Sequence, residues 1–384
     1  MVVKAQVADL VTGDRIQTLP ASNVRWEKRI LSPEAMRVEV TMKPRAHQML
    51  DIRNITNEVK SALVVSDGGS VIGAGPIWGR EYADDSRRWT GEAEGVWSLL
   101  NRRFILPPHV TADNLLIASG DDEGEPNPDV ATKFVQKSWP QIVRGIIEQS
   151  MSREGGELPF IFGDDGVGAH DKSYDASSFK TVGEALEDLT RLVNGPEISF
   201  VPQLVDNRLR WLVRVGDDDQ RELSSPNVHK FDFTPRNAAV RRLRVRSSGR
   251  DLASETWGTG GRQAAKALFA RAFKPDLLAA GYPRMESVSS AHSTVLEQPT
   301  LQDYTEQDVE LASAPFEWWS WQTDSSRSPV LSDLQVGDYC QVHLRDNPYL
   351  PDSPPGGIMR RIVSLSGDSS SPWVNVVTDE VSTW

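Results

Sequence analysis

The chain has 384 residues, of which 39% are hydrophobic and 25% are charged. This composition is typical of a soluble globular protein with about two to four domains. The net charge of −12 argues against nucleic-acid binding as the main function, because a negative surface repels the phosphate backbone.

The sequence also indicates the cellular compartment in which the chain folds. No window approaches the ~20 apolar residues of a membrane-spanning helix, and Lys4, Gln6 and Asp9 interrupt the N-terminus as a secretory signal. The single cysteine, Cys340, excludes an intrachain disulfide and a cysteine-based metal cage. We therefore expect folding in a reducing cytoplasm, without membrane insertion.

Short alternating strands dominate residues 1–107. The sequence predicts a hairpin around Thr12-Gly13-Asp14, a strand pair separated by Ser32-Pro33, and two strands around Asp67-Gly68-Gly69. We expect this region to form one antiparallel domain, a first β-barrel or a sandwich.

Residues 77–103, IWGREYADDSRRWTGEAEGVWSLLNRR, combine three tryptophans with dense charge. IWGREYADD is predicted to be a strand, Asp85-Ser86 a turn, and RRWTGEAEG the return strand. VWSLLNRR predicts a short helix with Val96, Leu99 and Leu100 on one face.

Residues 108–228 are predicted to be a linker loop and a small α/β unit. Residues 107–129 show little periodicity and predict a long exposed loop. A capping box of Thr181 and Glu184 begins the clearest helix, and Gly195-Pro196 ends it. Two strands, EISFVPQL and RLRWLVRV, follow. Apolar residues at helical spacing predict two helices. The apolar stripe of the first is Ile142, Val143, Ile146 and Ile147, and that of the second is Val182, Leu186, Leu189 and Val193.

Residues 229–384 are predicted to be β-rich and to contain a second barrel that can exchange strands with earlier segments. TLQDYTEQDVELA predicts a helix capped by Thr300 and Asp303. Cys340, Val342 and Leu344 alternate onto one face of DYCQVHLR. Strands are predicted for VRRLRVRSS, PRMESVSSAHSTV, FEWWSWQT, DYCQVHLRD, GIMRRIVSLSGD and WVNVVTDE.

The sequence offers little support for catalysis. It contains no nucleophile elbow, zinc-protease motif, P-loop or dinucleotide fingerprint. The histidines are far apart in sequence, and a Ser–His–Asp site assembled in space has no local support; they are His47, His109, His170, His229, His292 and His343. We therefore predict that the protein is not an enzyme, with no catalytic residue, no metal site and no cofactor.

Two Gly/Asp-rich stretches are candidate sites. Residues 163–171 contain Asp164, Asp165, His170 and Asp171, which would suit a Ca²⁺ loop or a carboxylate pair for glycoside hydrolysis. The spacing does not match an EF-hand, so a turn is the favoured interpretation. Residues 121–129, DDEGEPNPD, are interpreted in the same way.

An arginine-rich strand is a candidate contact surface. Arg242, Arg244 and Arg246 alternate onto one face, which would suit nucleic acid, but the acidic chain favours a solvated or subunit-facing strand. The acidic turn Asp217-Asp218-Asp219 is a candidate complement in a neighbouring chain.

The twelve tryptophans suggest either sugar stacking or packing. Trp318, Trp319 and Trp321 form the best cluster, in which only Trp319 and Trp321 share a strand face. Large aromatic side chains also seal barrels and subunit interfaces, and we favour that interpretation.

The segment GPIWGREYADDSRRWTGEAEGVWSLLNRRFI also carries a family resemblance. It resembles the N-terminal part of minor tail proteins from long-tailed, siphovirus-type phages of actinobacteria and other Gram-positive hosts, whose pattern is G-x-I-W, a charged turn and W-x-G-x-G-x-W-x-L-L-x-R-R. Ala93 stands where a glycine would be allowed. The matching residues are Ile77, Trp78, Trp89, Gly91, Gly95, Trp97, Leu99, Leu100, Arg102 and Arg103. Later features of the family are GPEISFVP (195–202), a tryptophan-rich strand (316–321), Gly337-Asp338 and RRIVSLSGD (360–368).

That family resembles the baseplate hub of contractile phages. The resemblance implies a mainly β chain with two tail-tube-like barrels and α/β insertions, and a homotrimer whose six barrels form a pseudo-sixfold ring. It implies a virion protein at the tail tip, made in the host bacterial cytoplasm, that connects the tail tube and distal tail protein to host-binding tip proteins. The ring would bound the channel for the tape measure protein and for DNA as passing cargo, with polar or acidic side chains facing the lumen.

Two alternatives remain open at this point. One is a carbohydrate-binding module that uses Trp319 and Trp321. The other is a cell-wall hydrolase of the tail tip.

Overall fold

A computed structural model describes residues 3–42, 50–118, 124–192, 194–235, 238–263, 266–290, 295 and 298–380. The chain divides into two compact units. Unit 1 comprises Met1–Leu243 and Ser320–Val381, and unit 2 comprises Arg244–Trp319. Unit 2 is therefore inserted into the sequence of unit 1.

The structure is mainly β, as predicted. The strands of the first half are β1 (Val3–Asp9), β2 (Arg15–Leu19), β3 (Asn23–Arg29), β4 (Ala35–Thr41), β5 (Ser61–Asp67), β6 (Ser70–Ala83), β7 (Arg88–Glu94), β8 (Thr132–Lys137), β9 (Phe160–Phe162) and β10 (His170–Tyr174). Those of the second half are β11 (Ile198–Val205), β12 (Arg208–Val215), β13 (His229–Asp232), β14 (Val240–Ser248), β15 (Glu255–Gln263), β16 (Lys266–Phe273), β17 (Glu286–Ser289), β18 (Phe316–Asp324), β19 (Tyr339–His343), β20 (Ile358–Asp368) and β21 (Trp373–Glu380). The α-helices are α1 (Ile52–Ile55), α2 (Trp97–Leu100), α3 (Trp139–Met151), α4 (Val182–Thr190), α5 (Asp276–Ala279) and α6 (Gln298–Leu311).

A large sheet organises unit 1. Its strand order is β14-β18-β21-β20-β3-β4-β7-β6-β5-β1-β2, with β19 joining β20 and β13 joining β19. Pairs that are close in sequence are antiparallel hairpins, including the predicted turn at Thr12-Gly13-Asp14. The order ends at β14 and β2, and no pairing between described residues joins these two strands into a closed barrel.

The tryptophan-rich segment forms a hairpin and a short helix, as predicted. Trp89 and Trp97 are buried, and the half-buried Trp78 donates from Nε1 to Ser98 Oγ at 2.8 Å. One prediction was wrong: SVIGAGPI and IWGREYADD are a single long strand, β6. A bulge between Ile77 and Gly79 lets the first half of β6 pair with β5 and the second half with β7.

The middle region packs against the first strands through a shared apolar core. Residues of α3 and α4 meet β12 and the inner face of β5 and β6 in one buried cluster. The capping box of Thr181 and Glu184 and the apolar stripe of α4 are confirmed, whereas Val193 lies outside the described residues. A second capping box, of Ser138 and Gln141, begins α3.

The C-terminal strands return to the N-terminal sheet. β20 pairs antiparallel with β3, bringing Asp368 opposite Arg25. Arg361 on β20 also forms a two-point ion pair with Glu197, at 2.6 and 2.7 Å. The C-terminal segment is therefore an integral part of unit 1.

The described part of unit 2 contains a three-stranded sheet and a long helix. The sheet order is β16-β15-β17, and α6 packs on β15 and β16. The helix begins at Gln298, so Thr300 lies inside its first turn rather than at the predicted cap. The strand predicted for PRMESVSSAHSTV is limited to Glu286–Ser289, and residues 291–294 lie outside the described residues.

The first hairpin contains a glycine that the fold requires. Gly13 has φ of 76°, and a Cβ atom there would lie 2.2 Å from Leu209 O. We expect Gly13→Ala to lower the free energy of unfolding by about 2–4 kcal/mol, because it combines a left-handed backbone with a backbone clash. Gly68→Ala is the matched control, since Gly68 has φ of 56° with nothing within 4 Å of the new Cβ. Equal losses in urea unfolding would show that the contact with Leu209 does not matter.

Candidate functional site: the charged face of the large sheet

The predicted turn at residues 163–171 is a loop over residues 163–169, and His170 and Asp171 already belong to β10. His170 stacks on Trp139 with ring centroids 3.7 Å apart, and its Nε2 lies 2.9 Å from Asp218 Oδ1. Asp165 pairs with Arg144 at 2.7 Å, and Asp171 accepts a hydrogen bond from Gln136 N. The acidic side chains thus bind separate partners around the start of α3, while Asp164 is exposed.

The acidic turn at residues 217–219 binds the loop at residues 163–169 and the adjacent His170. Asp217 accepts hydrogen bonds from the backbone N–H groups of Gln220, Val167 and Asp219, which hold the pKa of its carboxyl below the usual range. With Asp218 bound to His170, two of the predicted complements of the arginine strand are engaged within their own chain.

Among the described residues, no three His, Cys, Asp or Glu side chains are grouped so that they could hold a metal ion. Within the same residues, no helix is long and apolar enough to cross a membrane. The DDEGEPNPD stretch lies partly outside the described residues.

The arginine strand alternates as predicted. Arg242, Arg244 and Arg246 are exposed along β14, while Leu243 and Val245 are half-buried. The face is therefore accessible to solvent.

The sugar-platform hypothesis was wrong for Trp319 and Trp321. Trp319 and Trp321 are each only 2% exposed, so neither ring can stack on a ligand. The edge of Trp321 packs against Phe231, with ring centroids 5.0 Å apart. The packing interpretation is confirmed for these two residues.

A continuous polar surface of unit 1 is one face of the sheet formed by β20, β3, β4 and β7. Alternation along β3 and β4 buries Val24, Trp26, Val38 and others on one side and leaves charged residues on the other. We call this other side the charged face. Its carboxylates, which slightly outnumber its guanidiniums, are Glu27, Glu39, Glu92, Glu94 and Asp368, and its guanidiniums are Arg25, Arg29, Arg37 and Arg88.

Strand register arranges these charges in ion-paired rows. Asp368, Arg25, Arg37 and Glu92 lie opposite one another on consecutive strands. Arg25 Nε is 3.1 Å from Asp368 Oδ2, and Arg37 Nη1 is 2.7 Å from Glu92 Oε1. The two adjacent arginines are thus each neutralised by an outer carboxylate, which removes the repulsion expected for like charges on neighbouring strands.

An open groove runs over the charged face. Its volume is about 870 Å³, and Trp78, Trp373, Gln322 and Asn375 contribute to its lining. Arg241 covers the ring of Trp373 with its guanidinium carbon 3.6 Å from the centroid. The surface under the groove carries both signs of charge, which does not favour tight binding of a polyanion.

A buried polar contact joins His229 on β13 to Asp338 in the turn before β19. Asp338, in the predicted Gly337-Asp338 turn, accepts hydrogen bonds from Ser225 N at 2.7 Å and Gln335 N at 3.1 Å. His229 Nε2 on β13 lies 3.1 Å from Asp338 Oδ2. The turn therefore anchors β13 beside β19.

Comparisons with known proteins identify the fold. No family model matches the chain, and no curated protein matches it. Among solved structures, the chain is similar to the 43 kDa tail protein of prophage MuSo2 from Shewanella oneidensis, with a TM-score of 0.59 and 12% identity over 99% of this chain and 98% of that one. A tail protein from Neisseria meningitidis MC58 gives a TM-score of 0.60 and 12% identity, covering 100% and 98%. Prophage tail protein gp18 from Listeria monocytogenes gives 0.51 and 10%, covering 99% and 95%. The chain therefore has the fold of these phage tail proteins over its whole length.

Proposed function

We propose that this chain is a structural hub protein at the tip of a phage tail. The supporting observation is the end-to-end likeness to three phage tail proteins, which covers nearly all of both chains in each comparison. The family resemblance of residues 75–105 adds the long-tailed phages of actinobacteria and other Gram-positive hosts as the source.

In this proposal the protein is a virion component that acts as an adaptor rather than an enzyme. Three copies assemble into a ring, each contributing two barrel-like halves, drawn from residues 1–107 and 229–384. The α/β insertion of residues 108–228 braces the first half. The ring docks on a sixfold tail tube and carries the distal tail protein and the host-binding tip proteins.

The charged face is our candidate for the lining of the channel. Paired arginines and a small excess of carboxylates present no strong positive potential to a passing phosphate backbone. The tape measure protein and then DNA would therefore pass without being retained.

The ring is tested by light scattering and negative-stain imaging of the purified protein. We expect a ring-shaped particle of three times 42.6 kDa. A compact monomer at every concentration would remove the self-assembling ring, and assembly would then have to be sought on the tail tube itself.

The channel lining is tested by charge reversal. We expect Glu27→Lys with Glu92→Lys to leave rings intact but to slow DNA release from particles about tenfold at low salt, with recovery at high salt. Glu154→Lys, in an exposed loop after α3, is the matched control. Unchanged release kinetics in the double variant would place the charged face away from the channel.

A further inference from the structure

The two sides of the unit 2 sheet have different packing. On one side, α6 buries Leu301, Thr305 and Val309 against small residues of β15 and β16. A Cβ atom on Gly258 would lie 2.1 Å from Thr305 Oγ1, so the helix sits as close as the sheet allows. The helix α6 therefore covers this side of the sheet.

The other side of the same sheet exposes large apolar residues. Trp257, Phe269, Phe273 and Val288 are between 41% and 71% exposed. Register brings them together, because Trp257 lies opposite Val288 on β17 while Phe269 and Phe273 flank Arg271 on β16. We call this side the aromatic face. Clustered exposed aromatic residues of this kind mark interaction surfaces.

Two arginines on the aromatic face are held in place from below. Arg271 and Arg284 both form ion pairs with Glu255, whose side chain is only 1% exposed. Their guanidinium carbons lie 5.7 Å from the Trp257 ring centroid and 6.0 Å from that of Phe273. Both arginines remain about half-exposed, so they present preorganised donors to a partner.

The outer surface of α6 has the opposite character. The helix sequence QPTLQDYTEQDVEL contains no basic residue. Asp303, Glu306 and Glu310 are exposed, and their spacing places them on one side of the helix, opposite the buried stripe. Glu310 already pairs with Lys274 of its own chain, so Asp303 and Glu306 are the carboxylates of this surface that are open to a partner. We call this surface the acidic face.

We propose that the acidic face of α6 from one copy docks on the aromatic face of the next copy. The carboxylates would meet Arg271 and Arg284, while the methylene groups of the glutamates would cover the aromatic rings. A helix about 10 Å wide matches the width of a three-stranded sheet. Because the two faces lie on opposite sides of one sheet, the contact is head-to-tail. Such a contact builds a closed ring where the rotation between copies closes, as the hub proposal requires, and an open filament where it does not.

This inference rests on the proposed function in one respect, that copies of the chain assemble with one another. The test changes the charge of one face at a time. The helix variant is Asp303→Lys with Glu306→Lys, and the sheet variant is Phe269→Glu with Val288→Glu. A third chain combines both changes, and Glu154→Lys with Asp164→Lys in unit 1 is the control. All altered side chains are exposed.

Light scattering over a concentration series gives the association constant. We expect each single-face variant to assemble at least about 100-fold more weakly than the wild type, and the combined chain to recover to within about tenfold. Recovery is specific to two faces that touch each other. Circular dichroism verifies folding, and Asp303→Asn with Glu306→Gln and Val288→Ser serve as milder variants of the two faces if a reversal unfolds the chain.

The outcomes separate this contact from the hub proposal. A wild-type ring that persists in both single-face variants overturns the contact and leaves the hub standing, with the aromatic face free for a different partner. Failure of the combined chain to recover also overturns it, and so does a wild type that is monomeric at every concentration. An assembly that needs both faces but is not a ring supports the contact and counts against the hub.

Discussion

Asp338→Asn is expected to lower the free energy of unfolding by about 2–4 kcal/mol at neutral pH. The carboxylate uses both oxygens, accepting from Ser225 N and Gln335 N and pairing with His229. An asparagine amide keeps only one acceptor oxygen, so at least one buried partner loses its hydrogen bond. The variant also leaves His229 without its carboxylate in a buried position.

The pH dependence of this loss has a definite sign. Burial acts to raise the pKa of Asp338, but hydrogen bonds from His229 and Ser225 N outweigh it and hold the pKa below the ordinary value. A carboxyl with a lowered folded-state pKa stabilises the fold above its unfolded pKa of about 3.9, and this contribution disappears as the pH falls through the folded value.

Urea unfolding of wild type and variant at pH 7, 5 and 3 measures this dependence. The difference in the free energy of unfolding between wild type and Asp338→Asn should have its largest value at pH 7 and 5. It should be smaller at pH 3. Asp164→Asn, at an exposed carboxylate, should differ little from wild type at each pH. A difference that stays constant down to pH 3 would show that the charge of Asp338 contributes nothing.

Local signals in the sequence predicted local structure well. The capping box of Thr181 and Glu184, the turn at Gly13 and the alternation at Cys340, Val342 and Leu344 each depend on residues a few positions apart. Such patterns are determined by backbone geometry that every chain shares. Predictions made from such local patterns therefore do not depend on the rest of the fold.

These local signals could not predict which strands pair when the strands are far apart in sequence. Nothing near β3 indicates that it pairs with β20 more than 300 residues later, because many strands have equivalent alternation. The charged face depends on that pairing, because the ion pair between Arg25 on β3 and Asp368 on β20 forms only when the two strands are neighbours. The predictions ended one strand and began the next near Ile77. The structure has a bulge there, at which the continuous strand β6 changes its partner from β5 to β7.

The insertion of unit 2 was likewise not predicted. Its boundaries fall inside β14 and β18, at Leu243 and Ser320, rather than in a Pro/Gly-rich linker. Strands that continue from one unit into the next give no change of composition. The exposed Phe269 and Val288 were also missed, because an alternating strand does not reveal which face stays uncovered.

Trp211→Ala is expected to cost about 4–6 kcal/mol, the largest loss for a single substitution that we predict. Trp211 is fully buried on β12, in the cluster that joins α3 and α4 to the first strands. Its Nε1 donates to Ala74 O on β6 at 3.2 Å. Removing the side chain therefore opens a large cavity and leaves a buried carbonyl without this donor.

Chemical denaturation of three variants separates these contributions. Trp211→Phe should lose about 1–3 kcal/mol, because it keeps most of the apolar volume but not the N–H donor. Tyr349→Ala, at a side chain that is 79% exposed, should remain within about 0.5 kcal/mol of wild type. If Trp211→Ala also remained close to wild type, β12 could not be packed on β6 as described. The α/β insertion would then not brace the first strands, and the hub proposal would lose the element that makes unit 1 a single rigid support for the ring.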